Sequence, residues 1–138
     1  MQRARSFCQA RNDAHVFVNL SSVTYWSLLR EATLLLGNSS SGIMEAASFA
    51  LPVVNIGLRQ YGRERARNVL DAQPSVESIL EQIALTESAV FLLSTHGMEN
   101  PYGDGHASER IVDVLTSVPL DTLLRKRAQP LETLGIQP

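Results

Sequence analysis

The chain has 138 residues, enough for one domain with a real core. Its apolar fraction of 44% and charged fraction of 19% are those of an ordinary globular protein and not of a disordered or low-complexity chain. The net charge of -2 gives no electrostatic reason to expect a nucleic-acid or membrane partner.

The basic residues are almost all Arg, Lys126 being the one Lys. The planar Arg fork suits phosphate and carboxylate, although a biased genome composition gives the same pattern. Cys8 is the one cysteine, so no internal disulfide can form. The start, MQRARSFCQARND, lacks the apolar core of a signal peptide, and the longest apolar run, around Leu34 to Leu36, is too short to span a bilayer. These features lead us to expect a cytoplasmic protein.

In chain order, His15 to Leu20 reads as a short buried strand and Tyr25 to Ala32 as a short helix with Trp26 and Leu29 on one side. Thr33 to Leu36 is a second strand, stopped by Gly37-Asn38. Gly42 to Ala50 has apolar residues at helical spacing: Ile43, Ala46, Ala47 and Ala50. Pro52 to Gly57 is a third strand and Asn68 to Asp71 a fourth. Ser75 to Glu87 reads as a helix capped by Ser75, with Ile79 and Ile83 on its apolar face. Asn100 to Gly105 is a loop by its Pro, Gly and Asp content, and Ala107 to Val118 an amphipathic helix. The tail after Pro119 is interrupted by Pro130. Strands alternating with helices predict an α/β class: a Rossmann-like parallel sheet flanked by helices, in one domain over residues 1–138.

The segment GNSSSG, Gly37 to Gly42, lies between a predicted strand and a helix N-terminus. Such a turn offers unpaired backbone N–H groups to an anion, and Ser39, Ser40 and Ser41 add hydroxyl donors. Gly42 lets a phosphate approach the backbone. A plain helix cap explains the serines equally well. With no Lys after the second Gly, the segment is not a Walker A loop. Glu45, one turn on, can accept from ribose hydroxyls as acidic residues do in dinucleotide sites, or serve as a capping-box residue if Gly42 is the N-cap. Arg59, at the C-terminal end of the next strand, can reach a base or a diphosphate. Arg63, Arg65 and Arg67 continue the basic run, the last two reading better as a solvated helix face.

Asp104 and His106 invite a metal or catalytic reading. Their spacing matches no zinc set, and a turn capping the following helix is the plainer account. A serine hydrolase with Ser40 as nucleophile and Asp104 and His106 as partners has the right order. It lacks the first Gly of the elbow, and its two partners lie only two residues apart.

Together, GNSSSGIMEAASFALPVVNIGLRQYGR and NPYGDGHASERI closely resemble the C-terminal domain of UDP-N-acetylglucosamine 2-epimerases. The likeness is strongest from Leu36 to Asp71 and from Asn100 to Leu115, and its form resembles the hydrolysing branch. The resemblance implies the C-terminal half of a GT-B-type fold, which binds UDP. It implies loss of UDP from UDP-N-acetylglucosamine through a glycal, then water addition giving N-acetylmannosamine. The family's UDP-binding residues carry over to Ser39, Ser40, Glu45 and Arg59, with Gly42 as a position that must stay small and Arg63 as a neighbour. Leu58 and His106 depart from the usual residues. We expect no cofactor and no metal. The resemblance also implies that the catalytic groups lie in a first domain upstream of these residues, and His15 does not match that domain's His. We therefore expect no catalytic residue here. The expected partners are UDP or its sugar, an N-terminal epimerase domain acting in trans, or a second copy. A homodimer would use Ile111, Val114 and Leu115, or Leu120, Leu123 and Leu124. A stand-alone UDP-sugar-binding module is the alternative.

Overall fold

The structure, a computed structural model, describes residues 2–119. Leu120, Leu123 and Leu124 lie outside the described residues. The chain divides into two compact units, Met1–Tyr102 and Gly103–Pro138.

The first unit holds helix α1 (Gln2–Gln9), α2 (Ser22–Glu31), strand β1 (Leu35–Gly37), the short α3 (Ser41–Met44), a 3-10 helix (Ala46–Phe49), β2 (Val53–Ile56), β3 (Val69–Ala72), α4 (Val76–Thr86) and α5 (Ala89–Thr95). The second contributes α6 (Ala107–Ser117). The strands form one parallel sheet in the order β1-β2-β3, with Leu35 opposite Val53 and Val53 opposite Val69. Being central, β2 is covered on both faces. Its Val53 and Val54 are both buried, which explains why the segment reads as an unbroken apolar run and not an alternating one.

The core gathers Leu29 of α2, Ala46 of the 3-10 helix, Leu51 and Val53, with Tyr25, Leu35, Phe49 and Val69 packed around them. Helix α4 lies against β2 and β3. The Ser75 hydroxyl accepts from the Ser78 N–H and starts α4 as its sequence predicts. Ser21 does the same for α2 through Thr24, and Ser88 for α5 through Phe91.

Two expectations change. His15 to Leu20 is not a strand: it runs without regular structure, and Asn19 adopts a left-handed backbone (φ 58°). A strand needs a neighbour for its N–H and C=O groups, and an apolar run does not supply one. The expected single helix from Gly42 to Ala50 is two pieces, α3 and the 3-10 helix, meeting at Glu45. The second ends at Ala50, whose left-handed backbone (φ 49°) turns its N–H back onto the carbonyls of Ala46 and Ala47.

Gly42 is where α3 meets the sheet. A Cβ there would lie 2.9 Å from Leu35 Cδ2 and 2.9 Å from Val53 Cγ1. Leu35 has a flexible end, but Val53 is short, branched and fully buried. Gly42 is therefore held small by helix-to-sheet packing.

Opposite stability changes follow at two small residues. Gly42→Ala should destabilise by about 1–3 kcal/mol, the usual range for overpacking, despite the better helix propensity of Ala. Ala50→Gly should stabilise by about 1 kcal/mol, by relieving a left-handed L-residue. Urea denaturation of both variants checks the signs. A neutral Gly42→Ala would mean that Val53 can move aside.

Candidate functional site at the ends of β1 and β2

The sheet delivers two loops to one end. The first, Asn38 to Ser40, follows β1, and the second follows β2 at Gly57, whose positive φ (75°) suits glycine and whose N–H pairs with the Ala72 carbonyl. The two loops are tied through one carbonyl. Asn38 O accepts from Gln60 Nε2 at 2.8 Å and from Arg59 Nη1 at 3.3 Å. Gln60 is buried, and among the described residues its Oε1 has no partner. This clamp was not foreseen from the sequence, where Gln60 stood out only as the neighbour of Arg59.

The three serines divide their roles. Ser41 is buried and its hydroxyl meets the Tyr25 hydroxyl at 2.7 Å, so it faces the protein and adds no donor for a ligand. The Ser39 hydroxyl accepts from the Ser41 N–H at 3.3 Å. Ser40 holds the N-cap position of α3 yet makes no side-chain cap bond, and among the described residues its hydroxyl has no partner. Its backbone is ordinary right-handed helix (φ -61°, ψ -22°) and not the strained turn of a nucleophile elbow.

Glu45 sits at the joint between α3 and the 3-10 helix. Its Oε1 accepts from Trp26 Nε1 at 2.6 Å, and because Ser40 and not Gly42 is the N-cap of α3 it is no capping-box residue. The sequence assigned Trp26 to an apolar face with Leu29. In fact Leu29 is buried, while Trp26 is half exposed and bonded to Glu45. Arg63 points a guanidinium nitrogen at Met44 Sδ, at 3.5 Å, one residue from Glu45. Ser39, Ser40, Gly42, Glu45, Arg59 and Arg63 thus all belong to the loops and the short helix at this end of the sheet. Asn100 ties the later loop to the same place. Its amide donates to Met44 O at 2.9 Å and to the Ser48 hydroxyl at 2.8 Å.

Arg65 departs from the solvated helix face expected for it. Residues 63–67 are not helical, and Arg65 makes two 2.7 Å bonds to Asp71. Asp71 also accepts from Asn55, its register partner across β2 and β3, at 2.8 Å. Burial raises the Asp71 carboxyl, but the hydrogen bonds from Asn55 and Arg65 outweigh it and leave the group below the usual carboxylate range. These residues border a cleft of about 190 Å³ with Gly57, Leu58 and Tyr61. The cleft does not include the serines or Glu45.

In the second unit Asp104 pairs with Arg110 through both carboxylate oxygens, one bond being 3.0 Å, and accepts from the His106 backbone N–H at 3.0 Å. The Arg110 guanidinium and that N–H hold the Asp104 carboxyl well below its ordinary range. The His106 ring meets Glu109 at 2.9 Å and not Asp104. The Asp–His pairing a hydrolase requires is not made.

The family described as UDP-N-acetylglucosamine 2-epimerase matches residues 2–116. A protein of Legionella pneumophila named UDP-N,N'-diacetylbacillosamine 2-epimerase (hydrolyzing) is 40% identical over 110 residues, covering 78% of this chain and 28% of that protein. A protein of Campylobacter jejuni named GDP/UDP-N,N'-diacetylbacillosamine 2-epimerase (hydrolyzing) is 37% identical over 124 residues, covering 88% of this chain and 32% of its own length. The polysialic acid biosynthesis protein P7 of Escherichia coli is 29% identical over 101 residues, 26% of that protein. The chain spans about a third or less of these relatives.

The Asp104 lock gives a pH prediction. Its native pKa lies below the unfolded value of about 3.9, so its contribution is complete above that value and disappears as pH falls through the native one. Amide exchange over the first turn of α6 should be slowest above pH 4 and should accelerate in more strongly acid solution, after correction for intrinsic rates. Asp104→Asn should give the faster exchange above pH 4, and the difference should close as the solution becomes more strongly acid. Equal protection in both proteins above pH 4 would refute the lock.

Proposed function

Because the chain belongs to the UDP-N-acetylglucosamine 2-epimerase family, we propose that it is the UDP-binding half of a hydrolysing 2-epimerase active site. The reaction converts UDP-N-acetylglucosamine to N-acetylmannosamine and UDP. The C1–oxygen bond breaks with its electron pair passing to the diphosphate, a proton leaves C2, and water adds to the resulting glycal. The observation that carries this reading is the joining of the two loops through Asn38 O, with Arg59 and the free Ser40 hydroxyl beside it.

In this reading Ser39, Ser40 and Arg59 face the diphosphate. Fixed donors there stabilise the charge that develops as UDP departs, and need no rearrangement during the reaction. Glu45 accepts from the ribose hydroxyls, Gly42 keeps α3 against the sheet, and Arg63 borders the site beside Met44. The acid–base groups belong to sequence outside these 138 residues, in an N-terminal domain of the same or another chain. The names of the relatives at 40% and 37% identity favour a diacetylated amino sugar as an alternative to N-acetylglucosamine. The setting is the cytoplasm, where nucleotide sugars are made. A homodimer through α6 is part of the same reading, since Ile111, Val114 and Leu115 are each more than half exposed.

Calorimetry tests the nucleotide site. UDP should bind the chain with a dissociation constant on the order of 0.1–1 mM. Arg59→Ala or Glu45→Ala should weaken it roughly tenfold, the scale of one charge-assisted hydrogen bond. No heat at millimolar UDP would reject the assignment. The chain alone should release no N-acetylmannosamine from UDP-N-acetylglucosamine, because positioned acids and bases are required. Turnover by the purified chain would reject that division of labour.

A further inference from the structure

Two consecutive residues of α2 reach across to α3. Tyr25 meets Ser41, and its ring packs on the core, which accounts for it. Trp26 is different. It is the single tryptophan of the sequence and 45% exposed, so burial does not explain a large aromatic there. Its Nε1–H, a donor only, points at Glu45 Oε1 at 2.6 Å, a short hydrogen bond to a carboxylate. Among the described residues Glu45 Oε2 has no protein partner.

We propose that Trp26 is a positioning residue for nucleotide binding: its indole N–H holds one oxygen of Glu45 so that the other meets the ribose hydroxyls of a nucleoside diphosphate. The inference rests on the ribose role given to Glu45 above. A Glu side chain has three rotatable bonds, and ordering it at the moment of binding costs affinity. Trp26 removes much of that cost beforehand. The effect of Trp26 therefore passes through Glu45 and through the ribose hydroxyls.

The test has a ligand-free arm and a ligand arm. In ligand-free protein the single indole N–H gives one proton–nitrogen NMR cross-peak, and Glu45→Ala should move it clearly. An unmoved peak overturns the Trp26 proposal and leaves the nucleotide reading intact, whatever a Trp26 variant does to folding. In the second arm UDP and 2',3'-dideoxy-UDP are titrated into wild type, Trp26→Phe, Glu45→Ala and the double variant. Trp26→Phe keeps an aromatic ring and removes the N–H. It should weaken UDP about five- to tenfold, leave the dideoxy ligand unchanged, and add nothing to Glu45→Ala. Equal losses on both ligands, as direct stacking on the base or general damage would give, overturn the proposal, as does no loss on UDP. Wild-type protein that binds no UDP overturns the nucleotide reading and this inference with it.

Discussion

The close approach of α3 to the sheet at Gly42 governs the arrangement around it. Four residues make too short a helix to persist by its own hydrogen bonds, so α3 exists because it is packed. Its first turn lies where only a hydrogen fits between the backbone and Val53. That contact sets the height of the serine turn above β1. It turns Ser41 inward to Tyr25 and leaves Ser40 at the surface, and it delivers Glu45 to the rim beside Trp26. The glycine that a phosphate-binding account singles out for closeness to a ligand is occupied with closeness to the sheet. The side left bare by the missing Cβ faces Leu35 and Val53, so packing by itself accounts for a glycine there.

The end of the sheet is polar for a related reason. The apolar run of β2 stops at Asn55, which is buried yet bonded to Asp71 on the neighbouring strand, and Asp71 in turn holds Arg65. Gln60 enters from the next loop and spends its amide N–H on Asn38 O. The Gln60 bond joins the loops that follow β1 and β2, and the Asp71–Arg65 pair ties the second of these loops to β3. Buried polar groups are costly when unpaired. Here they are mostly paired to one another, and among the described residues the exceptions are Gln60 Oε1 and Asn68 Oδ1. Loops fixed in this way can present donors to a ligand with little ordering left to do.

Much of the fold was legible because it rests on local signals. Gly37 and Gly57 bound the apolar runs that became β1 and β2, and Ser75 followed by a helical pattern gave α4 its start. Ser39, Ser40, Gly42, Glu45 and Arg59 stood out as residue types suited to a nucleotide, and the structure gathers them at one end of the sheet. What escaped the sequence depends on distant partners. His15 to Leu20 has the composition of a strand but no pairing. The break at Glu45 arises from packing on Val53 and from the turn at Ala50, neither visible in a helical periodicity. Helix α1 has few apolar residues to announce it, and α5 is short. The bonds from Trp26 to Glu45, Gln60 to Asn38 and Asn100 to Met44 span 19, 22 and 56 positions, and no local pattern encodes them.

The second unit shows a different balance. Every residue of α6 is exposed, including Ile111, Val112, Val114 and Leu115, so burial within the described residues contributes almost nothing to its order. An eleven-residue helix is marginal in water by itself. Its local support lies at the N-terminus, where Asp104 receives the His106 N–H and pairs with Arg110 one turn in. A negative group there also complements the helix dipole. Such a lock aligns the first turn but cannot supply the energy that an apolar face gains on leaving water. The site-bearing unit is held by its own core, whereas among the described residues α6 has a charge clasp on its first turn and no buried apolar residue. The two parts of the chain thus rest on different physical terms: salt and acid act on the clasp of α6, whereas loss of packing volume acts on the sheet and the loops it carries.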